Sequence, residues 1–449
     1  MRVSALLLIL LLVTSLVIAM ANTNITVSAD VQSQIAYGAN LNQMRPPIYD
    51  FAFALDASTP AQYGVSWLRE AAFVDQRYGS NLTQLYNKYA SFGYNWEFRF
   101  DLQGVTQLYG ANWTLQQWDN YVTYALNAFP NVHVWEVGNE VLSGQAQYNN
   151  GYLASGNLTL AYFNMLKDTY NIAKQHDASN TIIAFGGNDF FDPAQIALYN
   201  TGSFADASYR NAAQVWAYGA ANYCDAISLH AYADNTGNAW LLNETPTRNG
   251  VTSKFTIQQL WNGSINAYEQ LTGKPIWFTE TGEPIDSPPN NSNPPTISNS
   301  QQKQAVFLNQ TFNLLTSYPF TQAIFWFKLI GPSEYYNNSG ALLFTLDDGL
   351  LNQDGTPRPA TELFKTFAST ITPTPTQAPT PSPTPTPTGS PTPTKTTSLS
   401  PTPIQTAAPT SSPTPAPVTP EFSPVIIVPF VLIVSIAWIL FSKKSKTEK

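Results

Sequence analysis

The chain has 449 residues, with 29 Asp and Glu against 21 Lys and Arg, three histidines and a formal net charge of -8. That balance excludes a nucleic-acid partner, since phosphate binding draws on clustered Lys and Arg. The single cysteine, Cys224, excludes an intramolecular disulfide framework and reads as a small buried residue. No His/Cys cluster has zinc-like spacing, so neither a metal nor a cofactor is expected, and any chemistry must come from carboxylates.

Residues 1–21 read as a signal peptide, with Arg2 as the positive end, Ala5–Ile18 as the apolar core and Ala19-Met20-Ala21 as the cleavage site. Residues 22–371 have the composition of one globular domain. In chain order, short apolar runs predict strands at Ile35–Asn40, Val65–Arg69, Trp96–Asp101, Val132–Gly138, Thr181–Gly187, Ala226–His230, Ile276–Glu280 and Ala323–Phe327. Between them lie amphipathic stretches at Asn81–Phe92, Leu115–Phe129, Leu160–Gln175, Ile257–Leu271 and Gln301–Leu315, with a last helix at Ala360–Phe367. Leu160, Phe163, Leu166 and Tyr170 recur at helical spacing and predict the apolar face of the third of these. Eight strand–helix units predict a single (β/α)8 barrel, a TIM barrel of the α/β class, with nothing sizeable left for a second folded domain.

Residues 372–420 are a Thr/Pro/Ser tract too poor in apolar residues to bury a core. Proline holds such a linker extended at ~3 Å per residue, which predicts a disordered, semi-rigid stalk. Residues 421–449 contain an apolar run, Val425–Phe441, interrupted only by Pro429 and Ser435 and followed by Lys443, Lys444 and Lys446. The run just reaches transmembrane length, and the lysines belong on the inner side. Pro420-Glu421-Phe422, the apolar run and the basic tail together resemble the PEF-type sorting signals of prokaryotic surface proteins, which implies removal of the tail by an archaeosortase-like enzyme. Either way the globular domain is expected outside the cell, tethered at its surface and monomeric. Nine Asn-x-Ser/Thr sequons, at Asn24, Asn81, Asn112, Asn157 and Asn309 among others, predict a glycosylated exterior.

Barrels of this kind carry their active site at the C-terminal ends of the strands. There the fourth strand ends in Gly138-Asn139-Glu140, the sixth in His230-Ala231-Tyr232 and the seventh in Thr279-Glu280. The second ends in Arg69, and the eighth carries Trp326. A carboxylate inside an apolar strand is unfavourable unless paired or used, whereas one at a strand end can face a cleft. Two such groups can protonate a leaving oxygen and support an oxocarbenium-like centre, the two needs of glycosidic cleavage. Glu136 shares parity with Glu140 and reads as structural, with Arg69 able to neutralise it. Glu70, Glu97, Asp189 and Glu283 also lie near strand ends and are candidate subsite residues. The aromatic share of 13% suits a cleft in which rings stack on sugar faces. Structural readings stay open at this point: His230 as a satisfied barrel histidine, Trp326 as core.

The motifs Trp-Glu-Val-Gly-Asn-Glu at 135–140 and Trp-Phe-Thr-Glu-Thr-Gly at 277–282, in this order and on these strands, resemble the glycoside hydrolase clan A superfamily. The resemblance covers the globular domain. It implies that Glu140 is the general acid/base and Glu280 the nucleophile of a retaining double displacement. It further implies that Asn139 contacts the sugar 2-hydroxyl, that Arg69 and Tyr232 hold Glu280 ionised, and that Trp326 forms the floor beneath the sugar. With His230, this set is similar to the cellulase-like family 5. Family 5 usually has a histidine after strand three, where this chain has Asp101-Leu102-Gln103; Gln103 could bond a sugar in its place, and β-xylosidase-like family 39 stays open. The implied substrate is a carbohydrate, a β-linked polysaccharide or oligosaccharide, neutral because an acidic surface repels anionic polymers. A non-catalytic carbohydrate-binding surface protein, and a transglycosylase using the same residues, are the alternatives. The loops at 233–249 and 283–300, which would choose the glycan, carry no readable code.

Overall fold

Short runs of β-branched and aromatic residues, separated by helix-length amphipathic segments, have one economical arrangement: strands inside, helices outside. The computed structural model describes residues 35–41, 55–72, 76–143, 151–233, 241–283, 300–331, 333–336, 342–346, 348–352 and 354–369. The expected signal peptide, the 372–420 stalk and the 421–449 segment lie outside the described residues, as does most of the 283–300 loop. By compactness the chain divides into residues 1–376 and 377–449. Among the described residues no helix is long and apolar enough to cross a membrane.

Eight parallel strands close into a barrel: β1 (Ala36–Asn40), β2 (Trp67–Ala71), β3 (Asn95–Phe100), β4 (Val134–Val137), β5 (Thr181–Asp189), β6 (Ala226–Tyr232), β7 (Ile276–Gly282) and β8 (Thr321–Trp326). Each pairs with its successor, and β8 pairs with β1, Ala323 opposite Ala36. Alternate residues point inward. The lower interior is filled by Trp67, Val134, Ile183, Ala226, Trp277, Ala323 and Phe325, with the Trp67 and Trp277 rings edge to face at 5.5 Å.

One inward step above this apolar plug is a layer of charge. Arg69 bonds Glu97 at 2.7 Å and also Glu136, all three fully buried. Glu136 accepts in addition from the Thr279 hydroxyl at 2.8 Å. Glu136 is therefore structural, as its parity suggests. Glu97, a candidate subsite residue by sequence, belongs to the same buried layer and faces no cleft.

Seven helices of eleven residues or more are found among the described residues: α1 (Gln76–Ala90), α2 (Leu115–Ala128), α3 (Leu158–His176), α4 (Ala207–Ala217), α5 (Ile257–Thr272), α6 (Ser300–Thr316) and α7 (Pro359–Ser369). Thr114 and Gln117 form a capping box at the start of α2, and Thr256 and Gln259 form another at α5. Between β1 and β2 the described residues hold only the four-residue helix Thr59–Gln62, so the eightfold alternation is shortened there.

The apolar face of α3 differs from the sequence expectation. Leu160 is 42% exposed, while Tyr162, Met165, Leu166, Thr169 and Ala173 face the barrel. Hydrogen bonding turns the helix: the Tyr162 hydroxyl donates to the Val137 carbonyl at 2.9 Å, and Thr169 accepts from the Trp118 indole at 2.8 Å.

Candidate active site

The C-terminal mouth of the barrel owes its shape to a contact between β4 and β5. Gly138 follows β4 at φ +82°, and Glu140 itself sits at φ +49°, a left-handed conformation that costs a non-glycine residue about 1 kcal/mol. Its N–H is held by the Gly186 carbonyl at 2.6 Å. Opposite, β5 bulges between Ala184 and Asn188, where Phe185, Gly186 and Gly187 all have positive φ. A Cβ at Gly186 would lie 2.7 Å from the Gly138 carbonyl carbon, and one at Gly187 would lie 1.8 Å from His230 Nε2. The bulge thus forms the seat on which the His230 ring rests.

His230 is buried, and its Nδ1 lies 2.8 Å from Glu140 Oε1 while its Nε2 lies 3.6 Å from Glu280 Oε1. One imidazole therefore touches both carboxylates, on opposite edges. Burial works against its charge, but the Glu280 carboxylate and the bond to Glu140 outweigh it and raise its pKa above the ordinary 6.5. Gly187→Ala is expected to unseat the ring, so that the His230 imidazole signal in a proton NMR titration falls back toward 6.5 or below. An unchanged titration would contradict the seat.

Glu280, 6% exposed, is surrounded by donors from three strands. Arg69 Nη1 reaches Oε1 at 2.6 Å, Arg99 Nη1 reaches the same oxygen at 3.2 Å, and the Tyr232 hydroxyl donates to Oε2 at 2.8 Å. Burial alone would raise this carboxyl's pKa. The charges of His230, Arg69 and Arg99 and the Tyr232 bond overcome that and bring it down to about 2. Asn40, at the end of β1, completes the shell by accepting from Arg69 Nη1 at 2.7 Å and donating to the Thr279 carbonyl at 3.0 Å. Arg99 also donates to Asn139 Oδ1 at 2.7 Å and, through Nε, to Asp101 at 2.9 Å.

Glu140, Asp189 and His230 bring three ligand-type atoms within 4.8 Å of one another. Burial, then the neighbouring Glu140 charge, pushes Asp189 well above the usual carboxylate range. Within this group His230 Nδ1 and Glu140 Oε1 are hydrogen-bonded at 2.8 Å.

Six of the residues singled out in the sequence, Arg69, Asn139, Glu140, His230, Tyr232 and Glu280, are thus gathered at one mouth. Two are not. Gln103 is exposed in the first turn of the short helix Leu102–Tyr109, where its backbone N–H is taken by Asp101 at 2.7 Å. Trp326 points out of the barrel: it is fully buried between β8 and α6, near Phe307 and Phe312, and its indole donates to the Asp348 carbonyl at 2.7 Å. The ring facing the site from β8 is the next one, half-buried Phe327, 6.4 Å from the Tyr232 ring. Trp326→Ala is accordingly expected to lower stability by about 3–5 kcal/mol in denaturant unfolding. A floor residue would instead spoil ligand binding at nearly unchanged stability.

Of the other candidates, Asp189 joins the site, Glu70 accepts from the backbone N–H of its neighbour Ala71, and Glu283 is buried where its carbonyl meets Gln304 of α6. Arg99 and Asn40 were not singled out. Arg99 shares parity with Glu97 and Asp101, and that alternation of charge inside an apolar strand was the available signal.

No family model matches the chain, and no curated protein matches it. Among solved structures it is similar to a GH5_18 protein from Streptomyces cattleya, in complex with GlcNAc, at 16% identity over 78% of this chain and 82% of that one, TM-score 0.49. It is also similar to xylanase 10B from Thermotoga maritima, at 13% identity over 76% and 96% of the two chains, TM-score 0.46. A further similarity is to a GH2 β-galacturonidase from Eisenbergiella tayi, at 11% identity and TM-score 0.42; the match takes in 71% of this chain but only 46% of that one.

Proposed function

We propose that the protein is an extracellular retaining glycoside hydrolase that cleaves O-glycosidic bonds in β-linked polysaccharides or oligosaccharides. One observation carries this reading: Arg69, Arg99 and Tyr232 all donate to the Glu280 carboxyl, while Glu140 lies across the same His230 ring. A carboxylate held by several donors suits a nucleophile, and a carboxyl hydrogen-bonded to an imidazole suits a proton carrier. In the first step Glu280 attacks the anomeric carbon as Glu140 gives its proton to the departing oxygen. In the second, Glu140 takes a proton from water, and that water releases the sugar from Glu280. Asn139, held by Arg99, is placed to meet the sugar 2-hydroxyl, and Phe327 takes the floor position. Export and tethering are read from residues 1–21 and 372–449 and belong to the same proposal.

Reducing-sugar release by the purified protein across β-glucans, mannans, xylans and their oligosaccharides tests the reading. Release establishes a hydrolase and names its substrate class. Tight binding with no release would overturn it in favour of a carbohydrate-binding surface protein.

A further inference from the structure

We propose that Arg99 is a positioning residue that orients Glu280 and Asn139 as one unit, with Asp101 holding it in place; this rests on the reading of Glu280 as nucleophile.

The guanidinium is a pure donor. With one nitrogen on Asp101 at 2.9 Å, its Nη1 forks between Asn139 Oδ1 at 2.7 Å and Glu280 Oε1 at 3.2 Å. Asn139 must therefore turn its carbonyl oxygen toward Arg99 and its amide hydrogens the other way. A substrate hydroxyl then meets a donor, not an acceptor. Asp101 is itself fixed from two sides: its Oδ1 caps the Leu102–Tyr109 helix through Gln103 N–H at 2.7 Å, and its own N–H donates to Tyr121 at 2.9 Å. Arg99 is buried, so this geometry is imposed by the fold and not by solvent.

The electrostatics point the same way. Around Glu280 stand Arg69 from β2, Glu97 and Arg99 from β3, Asp189 from β5, and His230 and Tyr232 from β6, with Glu136 linked through Arg69 and Glu140 through His230. Without Arg99, the guanidinium left on Glu280 would be that of Arg69, which Glu97 and Glu136 already share. Glu280 would then be easier to protonate. Lysine could return the charge but not the fork, because its ammonium is a point donor.

The test compares Arg99→Met, Arg99→Lys and Asp101→Asn in the full chain. The readouts are the acid limb of kcat/KM against pH, the Glu280 carboxyl titration by carbon NMR, and the ratio of kcat/KM between an aryl glycoside and its 2-deoxy analogue. Arg99→Met is expected to move the acid limb and the carboxyl titration upward by about one pH unit or more. It should also shrink the 2-hydroxyl ratio at least about tenfold, the equivalent of one well-made hydrogen bond. Arg99→Lys should restore the limb but not the ratio. Asp101→Asn keeps an oxygen for the helix cap but turns an amide toward Arg99, and should shrink the ratio with a small limb shift. An unmoved limb, titration and ratio, with only a lower unfolding temperature, would overturn the proposal. A wild-type protein without turnover on any glycoside would overturn the nucleophile reading instead, and the Glu280 titration would still decide whether Arg99 sets its ionisation.

Discussion

Glu280→Ala is expected to reduce turnover on the order of 10⁶-fold, the scale seen when the nucleophile of covalent catalysis is deleted. Alanine supplies no oxygen to bond the anomeric carbon; of the groups that donate to Glu280, Arg69 and Arg99 are cations, and Tyr232 is raised far above its ordinary pKa, by burial first and the Glu280 charge second. The chain should still fold. Arg69 keeps Glu97, Glu136 and Asn40, and Arg99 keeps Asp101 and Asn139, so neither buried cation loses its last partner. The stability difference has a predictable pH course. Glu280 is pulled from 4.5 to about 2 by folding, so its stabilisation is fully present above about 4.5 and lost as pH falls through about 2. Wild type and variant should therefore converge in stability at the acid end. Full activity in the variant would remove Glu280 from the site.

For Glu140→Ala the expected loss depends on the leaving group. Sugar leaving groups need the proton, and general acid catalysis is worth on the order of 10²–10⁴-fold. Activated aryl glycosides depart as stable phenolates and should lose far less in the first step. Their second step would then lag for want of a base, and azide, which needs no deprotonation, should speed it. Measured kcat/KM values for a matched pair of aryl and oligosaccharide substrates decide the matter: equal losses on both would contradict an acid role for Glu140.

Several errors of the sequence reading have identifiable physical origins. The run Ala323–Phe327 is apolar on both faces, and its register against β7 shifts between Ile324 and Trp326, so no alternation marks which ring turns inward. Counting along the chain selected Trp326, and the structure selects Phe327. α4 has a faint apolar period in the sequence, because its buried face consists of Ser208, Ala212 and Val215, small residues that allow close approach. The inward face of α3 runs through Tyr162, Met165, Leu166 and Ala173 and leaves Leu160 outside, with the Tyr162 hydroxyl bonded to the Val137 carbonyl. Asp189 looked like one strand-end acid among several. Three successive left-handed residues at Phe185, Gly186 and Gly187 are what carry it to Glu140, and the Gly-Gly pair was the one trace of this in the sequence.

What the sequence determined by itself was the barrel and the two carboxylates at its mouth. Strand period and chain order are local properties, and they suffice to place Glu140 and Glu280 at the ends of β4 and β7. The partners of those carboxylates, and the lowered pKa of Glu280, follow from the folded barrel alone. Residues 69, 99, 230 and 280 come from four strands far apart in the chain, and electrostatic energy depends on their separation in space. Closing the barrel set Arg69, Arg99 and His230 around Glu280, which lowers its pKa, and buried Trp326 in the core.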